Sequence, residues 1–110
     1  KIYYPGLFGQ PGYETLSSQA KGAGGVLSIE LADNVDAVKF VDSLQLFQLA
    51  VSLGSVESLV ELPSKMSHAE LSPAEQLKAG ITPGLIRLAV GIEDQCDLIA
   101  DLDQALAKAV

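Results

Sequence analysis

The stretch Gly84-Leu85-Ile86-Arg87-Leu88-Ala89-Val90-Gly91 limits the possible folds of this chain more than any other. A short apolar run closed by glycines at both ends reads as an interior strand of a sheet. The two-residue period puts Ile86, Leu88 and Val90 on one face and Leu85, Arg87 and Ala89 on the other. The first face is entirely branched and apolar, which suits packing under helices. The second carries the only arginine of the chain. A guanidinium stays protonated at any ordinary pH, and burying it without an anion is costly. The sequence therefore demands an anion and leaves two sources open. One is a structural ion pair within the domain; the other is a ligand carboxylate or phosphate gripped by the planar fork.

The flanking sequence supplies the rest of a sheet and its cover. Tyr4-Pro5-Gly6 and Gln10-Pro11-Gly12 read as turns, and a helix is predicted from Tyr13 to Lys21, stopped by Gly22. Gly24-Gly25 opens a strand over Val26–Leu31. Asp33 or Asn34 is expected to cap a helix whose stripe includes Ala37, Val38, Phe40, Val41 and Leu44. Further strands are predicted over Leu49–Leu53 and Ser58–Leu62, the latter ended by Pro63. Ser72-Pro73-Ala74-Glu75 has the signature of a capping box with proline in the first turn. Gly80 ends that helix, and Thr82-Pro83-Gly84 leads into the arginine strand. The last helix starts near Asp94, with Leu98, Ile99, Leu102, Ala105 and Leu106 on one face. The sum is an α+β fold: a small four-stranded, mainly antiparallel sheet covered by helices, in a two-layer sandwich.

Composition narrows the function. The chain has 110 residues and a net charge of −7, with no tryptophan. That balance disfavours nucleic acid and anionic membranes as partners. No apolar stretch is long enough to span a membrane. Cys96 is the only cysteine, so no internal disulfide can form, which fits a reducing, cytoplasmic setting. The chain opens at Lys1 without methionine, and we expect it to be a segment of a longer polypeptide.

Most other candidate chemistry reads as structural. His68 has no second ligand at metal spacing, so no metal site is expected. Gly22-Ala23-Gly24-Gly25 precedes a strand, whereas a phosphate loop follows one. Cys96 sits at a helix start among Glu93, Asp94 and Asp97, which oppose a lowered thiol pKa. Ser52-Leu53-Gly54-Ser55 reads either as a plain strand-to-loop junction or as an edge where backbone approaches a ligand.

Taken in order, several segments resemble the C-terminal domain of the Cys/Met metabolism (trans-sulfuration) family of pyridoxal-phosphate (PLP) enzymes. They are Tyr4-Pro5-Gly6-Leu7, Gly24–Leu31, Ser52-Leu53-Gly54 with Glu57-Ser58-Leu59, Met66-Ser67-His68-Ala69, Gly80-Ile81 and Leu85–Asp94. The resemblance implies the small domain of a fold-type I enzyme, with residues 1–110 forming one substrate-binding domain. It also implies that Arg87 holds the α-carboxylate of an amino-acid substrate, that Ser52 lies beside that carboxylate and the cofactor lysine, and that Val51 and Leu53 line the substrate pocket. The apolar Val51 stands where cystathionine-cleaving γ-lyases tend to carry glutamate, which leans toward substrates with an uncharged tail, as in methionine γ-lyase. The family usually has threonine where Ser67 stands, and often glycine where Ser55 stands.

The family's cofactor lysine, its pyridine-nitrogen aspartate and its phosphate loop belong to an upstream large domain. The resemblance thus implies a PLP-dependent parent, expected to be a homotetramer, and a fragment that carries no catalytic residue, is inactive and binds no cofactor alone. Three structural expectations follow. Arg87 turns out of the sheet with no carboxylate of its own domain neutralising it. A cleft lies beside Ser52. An apolar or mixed patch surrounds Leu53, Leu85 and Ala89, where the large domain would sit. The competing expectation is a free-standing α+β binding module that needs no cofactor.

Overall fold

In the computed structural model, which describes residues 1–110, five strands form one mixed sheet in the order β1-β2-β5-β4-β3. The arginine strand, β5 (Leu85–Ala89), is central. It runs antiparallel to β2 (Val26–Glu30) on one side and to β4 (Leu59–Glu61) on the other. The edges are short: β1 (Ile2–Tyr3) pairs antiparallel with β2, and β3 (Gln48–Leu49) pairs parallel with β4. The sheet therefore has five strands, not four. A two-residue edge strand offers no periodicity to read, and β1 is recognisable only through its pairing. The strand expected over Leu49–Leu53 is also cut short. Its ladder ends after Ala50 N–H donates to the Val60 carbonyl, because the next carbonyl, that of Val51, is turned to Arg87.

Helices α1 (Tyr13–Gln19), α2 (Ala37–Ser43), α3 (Pro73–Lys78) and α4 (Gln95–Ala109) occupy the expected places. The cover of the sheet comes from α2 and α4 alone. Phe40, Val41, Leu98, Ala105 and Ala109 are buried against Val60, Leu62, Ile86 and Leu88, with Leu27 and Ile29 partly buried beside them. Burying side chains the size of Phe40 or Ile86 contributes about 1.5–3 kcal/mol each. Neither α1 nor α3 buries a residue. The cap of α2 is Asp36, not Asp33 or Asn34: its carboxylate accepts from the amides of Val38 and Lys39, both at 3.0 Å. The capping box of Ser72 with Glu75 is formed, and Asp94 caps α4.

A long-range clamp holds the segment that leads into β3. The Asp101 carboxylate, on α4, accepts from the amides of Gln45 (2.7 Å), Leu46 (2.8 Å) and Phe47 (3.1 Å) and from the Gln104 amide (3.0 Å). Burial alone would raise its pKa, but these donors outweigh that and hold it below the ordinary carboxylate value.

Candidate functional site

The register decides which side chains share the face opposite α2 and α4. Ser28 stands across from Arg87, and Arg87 across from Glu61. Arg87 does leave the helix-covered face, as the two-residue period requires. It does not, however, lack an anion. Its Nη2 lies 2.7 Å from Oε2 of Glu61, whose side chain is only 1% exposed against 25% for Arg87. The expectation of a guanidinium free of its own domain's carboxylates is therefore wrong. The sequence shows a glutamate in the third predicted strand but not its register, so this partner could not be read from it.

The same Nη2 donates to the Val51 carbonyl at 2.5 Å. The structure thus brings together Arg87, Glu61 and the segment carrying Val51, Ser52 and Leu53. The remaining donors of the fork, on Nη1 and Nε, have no acceptor in the chain. Ser52 is exposed and its hydroxyl makes no hydrogen bond within the chain; Val51 and Leu53 are each 50% exposed. None of the five cavities is lined by Arg87 or by residues 51–53. The site is an open ledge, and the expected cleft beside Ser52 is not formed by this chain alone.

The ledge is held from both ends. On one side, Glu93 accepts from the Ser58 amide (2.6 Å) and hydroxyl (2.8 Å), and that hydroxyl accepts from the Gly91 amide at 2.8 Å. The Ser58 amide first, and its hydroxyl second, lower the Glu93 pKa. Sequence reasoning placed Glu93 only among the acidic residues around Cys96 and missed this staple. On the other side, the turn after Pro63–Lys65 packs over Glu61, and the Ser67 amide donates to Glu61 Oε1 at 3.1 Å. His68 Nδ1 lies 2.7 Å from Ser67 Oγ, and no group of side chains is arranged to hold a metal ion.

The apolar surface near the site differs from the expected patch. Leu53 is exposed, but Leu85 is partly buried and Ala89 is buried. Val90, expected in the core, lies beyond the strand and is exposed. The exposed apolar residues near the ledge are Val51, Leu53, Val56 and Ile92, with the Ile92 amide donating to the Val56 carbonyl at 2.9 Å.

The model of the Cys/Met metabolism PLP-dependent enzymes matches residues 1–107. The chain belongs to that family. It is 50% identical over 108 residues to cystathionine beta-lyase MetC of Bacillus subtilis (strain 168), covering 98% of the chain and 28% of that protein. It is 47% identical over 109 residues to L-methionine gamma-lyase of Fusobacterium nucleatum subsp. nucleatum, with the same two coverages. The crystal structure of cystathionine gamma-lyase from Lactobacillus plantarum complexed with L-serine superposes with a TM-score of 0.93 at 41% identity, covering 99% of the chain and 29% of that structure. The chain thus spans under a third of the length of these relatives. The fold is shared with members of a PLP-dependent family that includes lyases, and no helix is long and apolar enough to cross a membrane.

The residues present do not fit the cofactor of this family by themselves. A pyridoxal group is held covalently by a lysine amine, and all six lysines here are exposed. What this chain offers is an open ledge beside the Arg87 guanidinium and exposed apolar side chains.

Proposed function

We propose that these 110 residues are the C-terminal substrate-binding domain of a PLP-dependent carbon–sulfur lyase or γ-synthase of sulfur amino-acid metabolism. Its parent would be a cytoplasmic homotetramer whose upstream large domain carries the lysine, the phosphate cradle and the catalytic residues. Bound there, the cofactor supplies the electron sink for elimination or replacement at the amino acid. This domain orients the substrate. Arg87 binds the α-carboxylate, Ser52 stands beside it, and Val51 and Leu53 give the side chain an apolar wall.

The observation that supports this most is the division of labour within one guanidinium. Nη2 is tied to Glu61 and to Val51, while Nη1 and Nε have no acceptor in the chain. Each still carries an N–H that can give a charge-assisted hydrogen bond to a carboxylate oxygen, and the partial exposure of Arg87 lets one reach them. The ion pair removes the long-range pull of the charge, so recognition rests on short-range, directional hydrogen bonds. The missing cleft is consistent with a site closed by the large domain. Val51 and Leu53, both apolar, favour an uncharged tail of the methionine type over a distal ammonium, which would be left without a partner.

The test is Arg87→Lys in the full-length parent, assayed with L-methionine, cystathionine and O-acetylhomoserine. Lysine keeps the charge and loses the fork, so kcat/KM is expected to fall by about 10–100-fold on the best substrate. Near-unchanged kinetics would remove the carboxylate role. The 110-residue chain alone is expected to give no stoichiometric visible absorbance with PLP; a stable stoichiometric band would show that this domain itself holds the cofactor.

A further inference from the structure

We infer that Glu61 is a positioning residue for the substrate carboxylate: it aims the free N–H donors of Arg87 and does not merely neutralise a buried charge. The inference rests on the carboxylate-binding reading of Arg87 and adds a second residue to it.

Three observations carry it. Glu61 lies directly across from Arg87 in the β4–β5 ladder, so their side chains leave the sheet side by side. Its carboxylate is itself held: Oε1 takes the Ser67 amide at 3.1 Å, which fixes the plane of the group from the turn above. Its other oxygen, Oε2, is fully buried, accepts no hydrogen bond of good geometry, and has only the Arg87 Nη2 charge at 2.7 Å.

As a purely structural device this is a poor arrangement. A buried carboxylate with one amide donor and one off-line cation recovers little of its desolvation cost, and an apolar pair would pack there as well. It makes sense as an aiming device. Glu61 on β4 and the Val51 carbonyl on the ledge fix Nη2 from two elements. With Nη2 held from two sides, the planar guanidinium is restricted in orientation, and the N–H donors of Nη1 and Nε are set relative to the segment that carries Val51 and Ser52. A site whose donors are set before the ligand arrives loses less entropy on binding it.

The charge alone makes the opposite forecast. Removing Glu61 would leave Arg87 uncompensated and strengthen its attraction for any anion. The two accounts therefore differ in sign.

The experiment uses the full-length, PLP-loaded parent and two probes, L-norleucine and n-pentylamine, the latter identical except for the missing carboxylate. Dissociation constants for both are measured calorimetrically on wild type, Glu61→Gln, Glu61→Asp and Arg87→Lys, with thermal melting as a check on folding. Glu61→Gln keeps the size and an acceptor for the Ser67 amide. It is expected to weaken norleucine about tenfold and pentylamine hardly at all, so that the preference for the carboxylate falls by that factor. Glu61→Asp keeps the charge but withdraws it by one methylene, and it should lose part of the preference; this variant also serves if Glu61→Gln does not fold.

Tighter norleucine binding by Glu61→Gln would show the glutamate to be a competitor of the ligand and overturn the inference. Equal weakening of both probes would show a merely structural role and do the same, as would a wild-type preference in Glu61→Asp. If Arg87→Lys loses the preference while the Glu61 variants keep it, the inference fails and the carboxylate reading stands. If Arg87→Lys keeps the preference, the carboxylate reading itself fails.

Discussion

Asp101→Ala is the sharpest test of how the ledge is held, because one carboxylate collects donors from a segment more than fifty residues away. The substitution leaves the amides of Gln45, Leu46 and Phe47 without their acceptor and frees one of the Gln104 bonds. Phe47 is buried, so its amide cannot turn to water, whereas Gln45 and Leu46 are exposed and can in part. Hydrogen bonds to a charged acceptor contribute about 1.5–3 kcal/mol each where water is excluded. Counting the Phe47 bond in full, discounting the other two for solvent, and returning the desolvation cost of the carboxylate leaves a net loss of about 2–4 kcal/mol. Whole domains have about 5–15 kcal/mol in total, so this is a large share. In urea the midpoint should fall by about 2 M for a chain of this size; a fall below about 0.5 M would refute the reasoning. Acid gives a second check. The Asp101 pKa is depressed in the fold, so its contribution is complete above the unfolded carboxylate value and disappears as pH falls through the folded one. The gap between wild type and Asp101→Ala should therefore close on acidification. A gap that stays constant into acid would mean that ionised Asp101 is not what the three amides need.

Two further outcomes test the other end of the ledge. A Cβ on Gly91 would collide with the Val56 carbonyl oxygen and approach the Glu57 carbonyl carbon to 2.7 Å, both backbone atoms, so Gly91→Ala should cost about 2 kcal/mol or more and lower the melting temperature by roughly 10 °C; an unchanged melting curve would contradict that packing. Glu93, depressed by the Ser58 amide and hydroxyl, likewise stabilises above the ordinary carboxylate range and stops doing so as pH falls through its lowered value; Glu93→Gln should flatten the acid limb of stability against pH, and an identical limb would remove the staple.

The sequence made the elements legible where one local cause sufficed. Ser72, Pro73 and Glu75 cap α3 within a single turn, and the spacing of Leu98, Leu102, Ala105 and Leu106 sets α4 against the sheet. It was less informative where a distant partner decides. Asp36 displaces Asp33 and Asn34 as a cap because all three are chemically competent and only the entry of the chain into α2 chooses between them. The run Leu49–Leu53 alternates like a strand, yet its ladder stops once the Val51 carbonyl is taken by an arginine 36 residues on. Ala89 lies on the predicted open face but is buried there, and Val90 escapes the core because the strand ends before it.

The Glu61–Arg87 pair joins the two levels. In Ser58-Leu59-Val60-Glu61-Leu62, the glutamate follows three residues that are themselves buried, so composition argues against an exposed edge and for a partner. Only the register names that partner. Slipping β4 by one residue would swap its faces, turning Val60 away from Phe40 and Ile86 and driving Glu61 into the layer under α2 and α4, where no cation waits. The charge pair and the apolar core thus select the same register. A pair that fixes the sheet in this way holds Arg87 by one nitrogen only, and the donors on its other two nitrogens have no acceptor in the chain. The register of the sheet and the readiness of the site then depend on the same two side chains, so substitutions at Glu61 must be read through the preference for a carboxylate and not through stability alone.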